Sequence, residues 1–184
     1  SCERLCLCPM GRLRFLVSER DRLLDRDASR IYRSGIESIP WQSQNTWIGD
    51  ELIVSRSESD SGGLYVPWLL SRRGPQVLST ATLMERPRPN LLEVELARGT
   101  VPELREHLAS WKSVGLVVRD DIVAGLKQAM AAFAAAASKQ AQPEVAARFA
   151  CDAIEQGVEL SYALGRSYAE QALAVRRQSG QQLT

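Results

Sequence analysis

The sequence predicts an α+β protein in which a β-rich segment is followed by a helical one. Up to about residue 98, short apolar runs are broken by turn residues, and Arg, Ser, Trp and Pro are frequent. From residue 99 onwards the chain is rich in Ala, and apolar residues recur at helical spacing almost to the end. We therefore expect an antiparallel β-sandwich at 10–98, followed by a three-helix, Ala-rich segment with a long helical hairpin at 99–178.

Alternation of apolar and polar residues predicts five strands in the first segment. These strands are expected at 12–18, 50–56, 64–70, 76–83 and 91–97. The run SESDSGG, which separates the second strand from the third, is a strong turn signal and predicts that these two strands form a hairpin. Short turns at the other junctions favour a compact antiparallel sandwich.

Two further features of the β-rich segment concern its irregular parts. Between the first two strands, we expect a short helix that starts at Asp27 and is ended by Gly35. Pro40 then makes the approach to Trp41 extended, because a residue that precedes proline avoids the helical conformation. Pro67, in the middle of the third strand, argues for an edge strand or a bulge.

The helical segment is expected to contain three helices. Thr100 can cap the first helix, which Gly115 ends. The second is expected at 120–140, where an acidic start favours the helix N-terminus electrostatically. The third follows the break at Pro143 and reaches about Arg177, a length of about 50 Å at 1.5 Å per residue. A helix of that length could serve as a docking arm whose exposed apolar positions need a partner.

The bulk composition excludes several classes of protein. The net charge of the 184-residue chain is +1, and its basic residues form no stripe, so we expect no nucleic-acid partner. No apolar run is long enough to span a membrane, so we expect no membrane partner. The chain has no GxSxG, no HExxH, no phosphate-binding Gly-rich loop and no dinucleotide fingerprint. We therefore expect no cofactor and no catalytic residue.

The first nine residues differ in character from the remainder of the chain. Met10 looks like a natural start, so 1–9 is predicted to be a disordered leader. Its cysteines Cys2, Cys6 and Cys8 lack a common metal-ligand spacing, and we expect no metal site. No signal peptide is visible, which favours a cytoplasmic location. The polar tail 179–184 is expected to be frayed.

The candidate ligand-binding residues are aromatic: Trp41, Trp47 and Tyr65. A planar ring that is open to solvent stacks against the apolar face of a sugar, whereas Trp in general belongs to a core. Trp41 and Trp47 flank the polar run QSQN, which is interpreted as a loop suited to hydroxyl-rich ligands. Tyr65 is expected to point away from the core, whereas Trp68 shares the apolar face of its strand and is assigned to the core.

The remaining residues with reactive side chains have structural interpretations. Glu93 and Glu95 would share one face of the last strand at roughly 7 Å, a spacing that glycoside cleavage permits. Their alternation with apolar residues more simply makes them the solvated face of that strand. His107 is interpreted as a surface residue, and Cys151 as a small buried apolar residue.

Four stretches resemble a known family. They are MGRLRFLV from Met10, IYRSGIESIPW ending at Trp41, GLYVPW ending at Trp68, and LSTATLMERPRPNLLEVELARG ending at Gly99. They resemble the N-terminal region of planctomycete-type proteins that are similar to family-10 glycoside hydrolases and are labelled endo-1,4-β-xylanases. The resemblance implies that the β-rich segment is like a carbohydrate-binding module. It also implies that the catalytic glutamates lie in a TIM barrel of about 250 residues, for which this chain has no room, so no catalytic residue carries over.

Two hypotheses follow from the sequence. In the first, the chain is a non-catalytic accessory module of a xylanase-like glycoside hydrolase and binds or positions xylan or another polysaccharide through Trp41, Trp47 and Tyr65. In the alternative, it is a structural or protein-interaction module whose helices dock a partner protein or a catalytic barrel. At least two coplanar rings open to solvent would favour the first. A third and weaker candidate, an enzyme in its own right, would need a cleft with paired carboxylates.

Overall fold

The computed structural model describes residues 11–24, 28–35, 39–41, 43–56 and 62–178. Within these ranges it contains eight strands and three α-helices, which confirms the α+β class. The predicted leader at 1–9, the predicted tail at 179–184 and most of the SESDSGG run lie outside the described residues.

The strands form two four-stranded sheets. The strands are β1 Gly11–Leu16, β2 Tyr32–Ser34, β3 Pro40–Trp41, β4 Ser43–Ile48, β5 Glu51–Arg56, β6 Gly63–Leu70, β7 Gly74–Ser79 and β8 Asn90–Leu91. Sheet 1 has the order β4-β5-β1-β8, and sheet 2 has the order β3-β2-β6-β7. Every pairing is antiparallel except that of β1 with β8, which is parallel.

The predicted hairpin between 50–56 and 64–70 is wrong, because β5 and β6 belong to different sheets. β5 pairs instead with β4, and a two-residue turn at Gly49 and Asp50 connects them, with Gly49 at a φ of +60°. The polar run before Trp47, expected to be a loop, therefore supplies β4. A turn signal shows that the chain reverses, but it does not specify the strand with which the chain then pairs.

The short helix expected from Asp27 is also wrong for the residues that the structure describes, since these form a turn and then β2. Ala28 adopts a positive φ of 57° and is fully buried. The Asn45 side chain on β4 donates hydrogen bonds to the carbonyls of Ala28 and Ile31, at 2.8 and 2.7 Å. These long-range hydrogen bonds hold the turn in place, and no pattern in the sequence of the turn itself predicts them.

β6 is an interior strand in the order of sheet 2, although Pro67 predicted an edge or a bulge. β2 pairs with β6 only as far as Tyr65, so Pro67 lies beyond that pairing. There the backbone N–H of Leu24 donates to the Pro67 carbonyl at 3.2 Å. Among the described residues, no strand pairs with that side of β6 at position 67, which explains why Pro67 is tolerated there.

The three helices are α1 Leu92–Ser113, α2 Asp120–Ser138 and α3 Pro143–Gln178. α1 and α3 run in the same direction, because Thr100 approaches Gly157 and Trp111 approaches Tyr168. α2 runs antiparallel to α3, since Gly125 faces Leu160 while Lys139 lies over the Phe149 ring. The predicted helices at 120–140 and from Pro143 to Arg177 are confirmed, and Gly115 follows α1 at a φ of +100°.

The strand predicted at 91–97 is wrong, because α1 begins at Leu92 and continues past Gly99 and Pro102. Residues 92–97 are all buried, so every face of this part of the helix packs against other parts of the protein. The alternation in LLEVELA therefore does not mark one buried and one solvated face. Leu, Glu and Ala also have high helix propensity.

One cluster of buried side chains joins both sheets to the helices. It contains Phe15 of sheet 1, Trp68 of sheet 2, Leu96 of α1 and Ile154 of α3, each 0% exposed. The assignment of Trp68 to the core is thus confirmed. A second, smaller cluster around Leu104 fills the bundle between the far halves of the helices.

Candidate functional site

Trp41 lies on the inner face of sheet 2 at its β3 edge. Trp41 pairs with Arg33 of β2, and Arg33 in turn pairs with the fully buried Leu64 of β6. Because directly opposed residues share a face of a sheet, all three side chains lie on the inner face. The Arg33 guanidinium lies 5.3 Å from the Trp41 ring centroid. The ring also covers Gly35, where an added Cβ would lie only 2.3 Å from the ring carbon Cζ2. Trp41 is therefore half-buried by packing on glycine and arginine.

Tyr65 lies on the opposite face of the same sheet. Its neighbour Leu64 points inward, so Tyr65 points outward, as the sequence predicted. Its ring is stacked on that of Tyr32, with centroids 4.9 Å apart and planes 2° apart. The two rings lie face to face, so each covers one face of the other, and they do not form a side-by-side platform.

Trp47 belongs to sheet 1 and packs at the edge of the shared core. The Arg20 guanidinium lies 4.4 Å from the Trp47 ring centroid and donates to the Gly49 carbonyl at 2.9 Å. The indole Nε1 is buried and has no hydrogen-bond partner within the described residues. A cleft of about 290 Å³ opens beside the ring and is also lined by Arg20, Asp21 and Leu23.

The structure thus does not bring the three predicted ligand-binding residues together. Trp41 and Tyr65 lie on opposite faces of sheet 2, and Trp47 lies on sheet 1. Their roles in sugar binding stay predictions, with the cleft beside Trp47 as the concave surface next to one of them.

Glu93 is the most enclosed carboxylate of the described residues, and its predicted place on a solvated strand face is wrong. It is 0% exposed, and its Oε1 accepts hydrogen bonds from the backbone N–H groups of Ser18 and Glu19, at 2.8 and 2.7 Å. Its Oε2 is buried without a partner among the described residues. Burial raises the pKa of Glu93, against the two backbone donors, which lower it.

Glu95 is also buried, at 3% exposure, and lies 3.5 Å from Arg98. Burial raises the pKa of Glu95, and the charges of Arg98 and Arg86 oppose that shift. Residues two apart on a helix point in directions about 200° apart, so Glu93 and Glu95 do not form a facing pair. The geometry that glycoside cleavage would require is absent from this pair.

Charged side chains that the sequence did not single out join the sheets to α3. Arg22 binds Glu155 at 2.8 Å, and the Ser71 backbone N–H donates to the same carboxylate at 2.7 Å. Burial would raise the pKa of Glu155, but these hydrogen bonds outweigh it and hold that pKa below its usual value. Arg73 binds Glu159 through two hydrogen bonds of 2.7 and 3.0 Å.

Of these ion-paired residues, Arg22, Glu155 and Glu159 line a cleft of about 440 Å³ between the β6–β7 turn and the helices. The sequence signal for them is the spacing of Glu155 and Glu159, which places both carboxylates on one face of α3. The two Arg residues lie far away in sequence, so only the fold brings them to that face.

Cys151 and His107 lie where the sequence predicted. Cys151 is 5% exposed, and burial raises the pKa of its thiol to about 12, although the nearby charge of Arg22 lowers it. His107 is exposed and stacks on Trp111 with ring centroids 5.7 Å apart. In the part of the chain that the structure describes, no group of three or more His, Cys, Asp or Glu could hold a metal ion.

Four apolar residues with exposed side chains lie at one end of the helical bundle, in the α1–α2 loop and on the last turns of α3. We call this group the bundle-end patch and define it as Val114, Val117, Tyr168 and Val175. Their exposed fractions are 74%, 74%, 42% and 64%. The Gln171 side chain accepts from the Val117 N–H at 3.0 Å and donates to the Val117 carbonyl at 2.8 Å, which fixes the α1–α2 loop against α3.

The chain matches no family model, no curated protein and no solved structure. None of the helices in the described part combines the length and the apolar character that crossing a membrane requires.

Proposed function

We propose that this chain is a non-catalytic interaction module whose helical bundle docks the surface of another folded polypeptide, such as a catalytic barrel. The observation that carries this proposal is the bundle-end patch. Large exposed apolar residues that are grouped on one surface are typical of docking sites, whereas single ones are ordinary.

The patch continues a stripe of α3 that is buried in the bundle. Leu164, Tyr168, Gln171 and Val175 follow one another at intervals of four, three and four residues, and so share one face of the helix. Leu164 is 1% exposed, Tyr168 lies 4.8 Å from Trp111 between ring centroids, and Gln171 holds the α1–α2 loop. Val175 comes one turn later, where α1 has ended.

Val114 and Val117 extend the same surface from the α1–α2 loop. Both are three-quarters exposed, so they contribute little to the core of this chain. Burial of apolar surface stabilises an association by about 25 cal/mol per Å² removed from water. A partner that covers the patch would therefore gain affinity from apolar surface that the isolated chain leaves exposed to water.

The test is photo-cross-linking from the patch. A photoreactive phenylalanine at position 117, in extracts of cells that contain the natural protein, should give one adduct that unlabelled parent chain suppresses. The unlabelled Val114→Lys, Val175→Lys variant should suppress the adduct only weakly. Circular dichroism of this variant should match that of the parent and so confirm that the variant is folded. The same probe at the exposed Ala131 of α2 is the control. Equal suppression by parent and variant, or no suppressible adduct, would rule out docking through this patch.

A second candidate function is polysaccharide binding, and the cleft beside Trp47 favours it. An indole ring next to Arg20 and Asp21 combines an apolar surface with hydrogen-bonding groups, which is a composition that suits hydroxyl-rich ligands. The proposal includes the finer fold statement that the two sheets form a sandwich like that of a carbohydrate-binding module.

Retention on insoluble xylan and cellulose tests this candidate. Under the proposal the parent chain is retained and Trp47→Ala is not, because the cleft loses its aromatic wall. Tyr65→Ala, on the outer face of the other sheet, is the matched control and should be retained like the parent. If the parent is not retained on either polysaccharide, this candidate is rejected and the docking function is unaffected.

A further inference from the structure

In the described part of the chain, the two sheets have four edge strands, and three of them carry features that prevent pairing with another chain. β3 is two residues long and contains Pro40. β8 is two residues long and continues into α1. β7 contains Pro75, and α1 crosses its end so closely that a Cβ at Gly99 would lie 1.9 Å from the Ser79 carbonyl oxygen. Short length, proline and a covering helix are the usual means by which sheet edges avoid association.

β4 has none of these features. Its six residues, SQNTWI, contain no charge and no proline, and each pairs with one residue of β5 without a bulge. Within the described ranges, no strand pairs with its outer side. Gln44, Thr46 and Ile48 are exposed, Ile48 by 66%. A regular, uncharged edge strand of this kind is a template for a further strand.

The register identifies which backbone groups this edge offers. Ile48 and Glu51 flank the two-residue turn, so they form a hydrogen-bonded pair. Hydrogen-bonded and non-hydrogen-bonded pairs alternate along an antiparallel ladder. The N–H and C=O groups of Ser43, Asn45 and Trp47 therefore point away from β5, toward the open side of the sheet.

We propose that β4 pairs with β4 of a second copy of this chain, antiparallel, around a two-fold axis at Asn45. This register opposes Ser43 to Trp47 of the second copy, and Asn45 to Asn45. Each of these three opposed pairs exchanges two bonds, which gives about six backbone hydrogen bonds. Sheet 1 of the two copies then becomes one continuous eight-stranded sheet.

The second copy is the occupant that this edge fits. Two-fold pairing brings the same six residues of two strands together, so charges of one sign on β4 would lie close to one another, and β4 carries none. In this register, the inner face of sheet 1 in one copy also continues into the inner face of sheet 1 in the other. The side chains of Asn45 and Trp47 stay on the inner face in both copies, and those of Gln44 and Thr46 stay on the outer face. This surface is on sheet 1, so the proposal is independent of the bundle-end patch.

Introducing like charges at the edge tests the pairing. In the proposed register, Gln44 lies directly opposite Thr46 of the second copy, and both side chains are exposed in the single chain. Sedimentation of the full chain should give twice the 20.4 kDa chain mass. The Gln44→Lys, Thr46→Lys variant should sediment at the single-chain mass, with unchanged circular dichroism.

A charge-reversal partner makes the test specific. Gln44→Glu, Thr46→Glu should also be a single chain, and mixing it with the Lys variant should restore the double mass through two opposed ion pairs. Ala131→Lys, Ala163→Lys adds the same charge at exposed helical positions and should stay paired. The proposal is overturned if the parent sediments as a single chain at its highest soluble concentration, if the Lys variant stays paired, or if the mixture fails to pair.

Discussion

Glu93 is a carboxylate enclosed at the start of α1, with two backbone donors on one oxygen and no partner among the described residues on the other. Because burial raises the pKa of Glu93, the folded chain binds a proton at this carboxyl more tightly than the unfolded chain does. Between the unfolded pKa and the raised folded pKa, the folded state therefore holds more protons. The free energy of unfolding must fall as pH rises through that window, since the native carboxyl is forced to ionise.

Glu93→Gln should weaken this pH dependence. The amide oxygen can still accept from Ser18 and Glu19, and no buried charge forms. We expect the slope of unfolding free energy against pH to be smaller by up to about 1.4 kcal/mol per pH unit within the window. Glu95 remains as a second carboxyl whose pKa burial raises, so part of the slope persists.

Urea unfolding across the acidic to neutral range measures the slope for parent and variant. The exposed Glu103→Gln is the control for the loss of one negative charge. A slope in Glu93→Gln that equals that of the parent would mean that Glu93 is not enclosed as described.

At the scale of the element, α1 shows how tertiary contacts override local signals. Gly99 and Pro102 would weaken an isolated helix, and the sequence predicts a boundary there. The structure runs α1 through both positions. Gly99 lies where the helix touches the Ser79 carbonyl oxygen, at a distance that leaves no room for a side chain. The glycine therefore serves contact between helix and sheet rather than helix termination.

Gly99→Ala and Gly165→Ala should change stability in opposite directions. A methyl group at position 99 would collide with backbone, which cannot move as a flexible side chain can, so we expect a loss of about 1–3 kcal/mol. At Gly165 of α3 nothing lies within 4 Å of an added Cβ. There the gain in helix propensity should add about 0.5–1 kcal/mol.

Chemical denaturation of both variants measures these free energies. Each is the control for the other, because both replace a helical glycine by alanine. A stabilising Gly99→Ala would contradict the close approach of α1 to β7.

At the scale of the whole molecule, one core serves the sheets and the helices. Phe15 and Trp68 belong to the same buried cluster as Leu96 and Ile154. Ion pairs such as Arg73 with Glu159 join the β6–β7 turn to α3. Neither half buries its apolar surface alone, so we expect the chain to unfold in one cooperative transition.

Unfolding followed by two probes tests this expectation. Trp111→Phe removes the helical tryptophan and leaves Trp41, Trp47 and Trp68, all in strands. In this background, tryptophan fluorescence reports the sheets, and far-UV circular dichroism reports mainly the helices. The two denaturation curves should coincide. Separate midpoints would show that sheets and helices unfold independently.

The sequence by itself determined the order of a β-rich part before a helical part, the extents of α2 and α3, and the inward face of β6. These depend on local periodicity and on residues that favour a helix start or break a helix, such as Asp120 and Pro143. A period of 3.6 sustained over many residues is a strong signal, because it needs no knowledge of distant partners.

Only the tertiary structure decided which strands pair, that LLEVELA is helical, and where the aromatic side chains point. Pairing depends on contacts between residues far apart in sequence, such as Asn45 with the Ala28 carbonyl. A short apolar run fits both a strand and a buried helix, and its surroundings choose between them. Trp41, Trp47 and Tyr65 are all aromatic residues of the β-rich segment, yet they lie on three different surfaces. Local sequence could not assign them to these surfaces, because the faces of the two sheets exist only once the chain has folded.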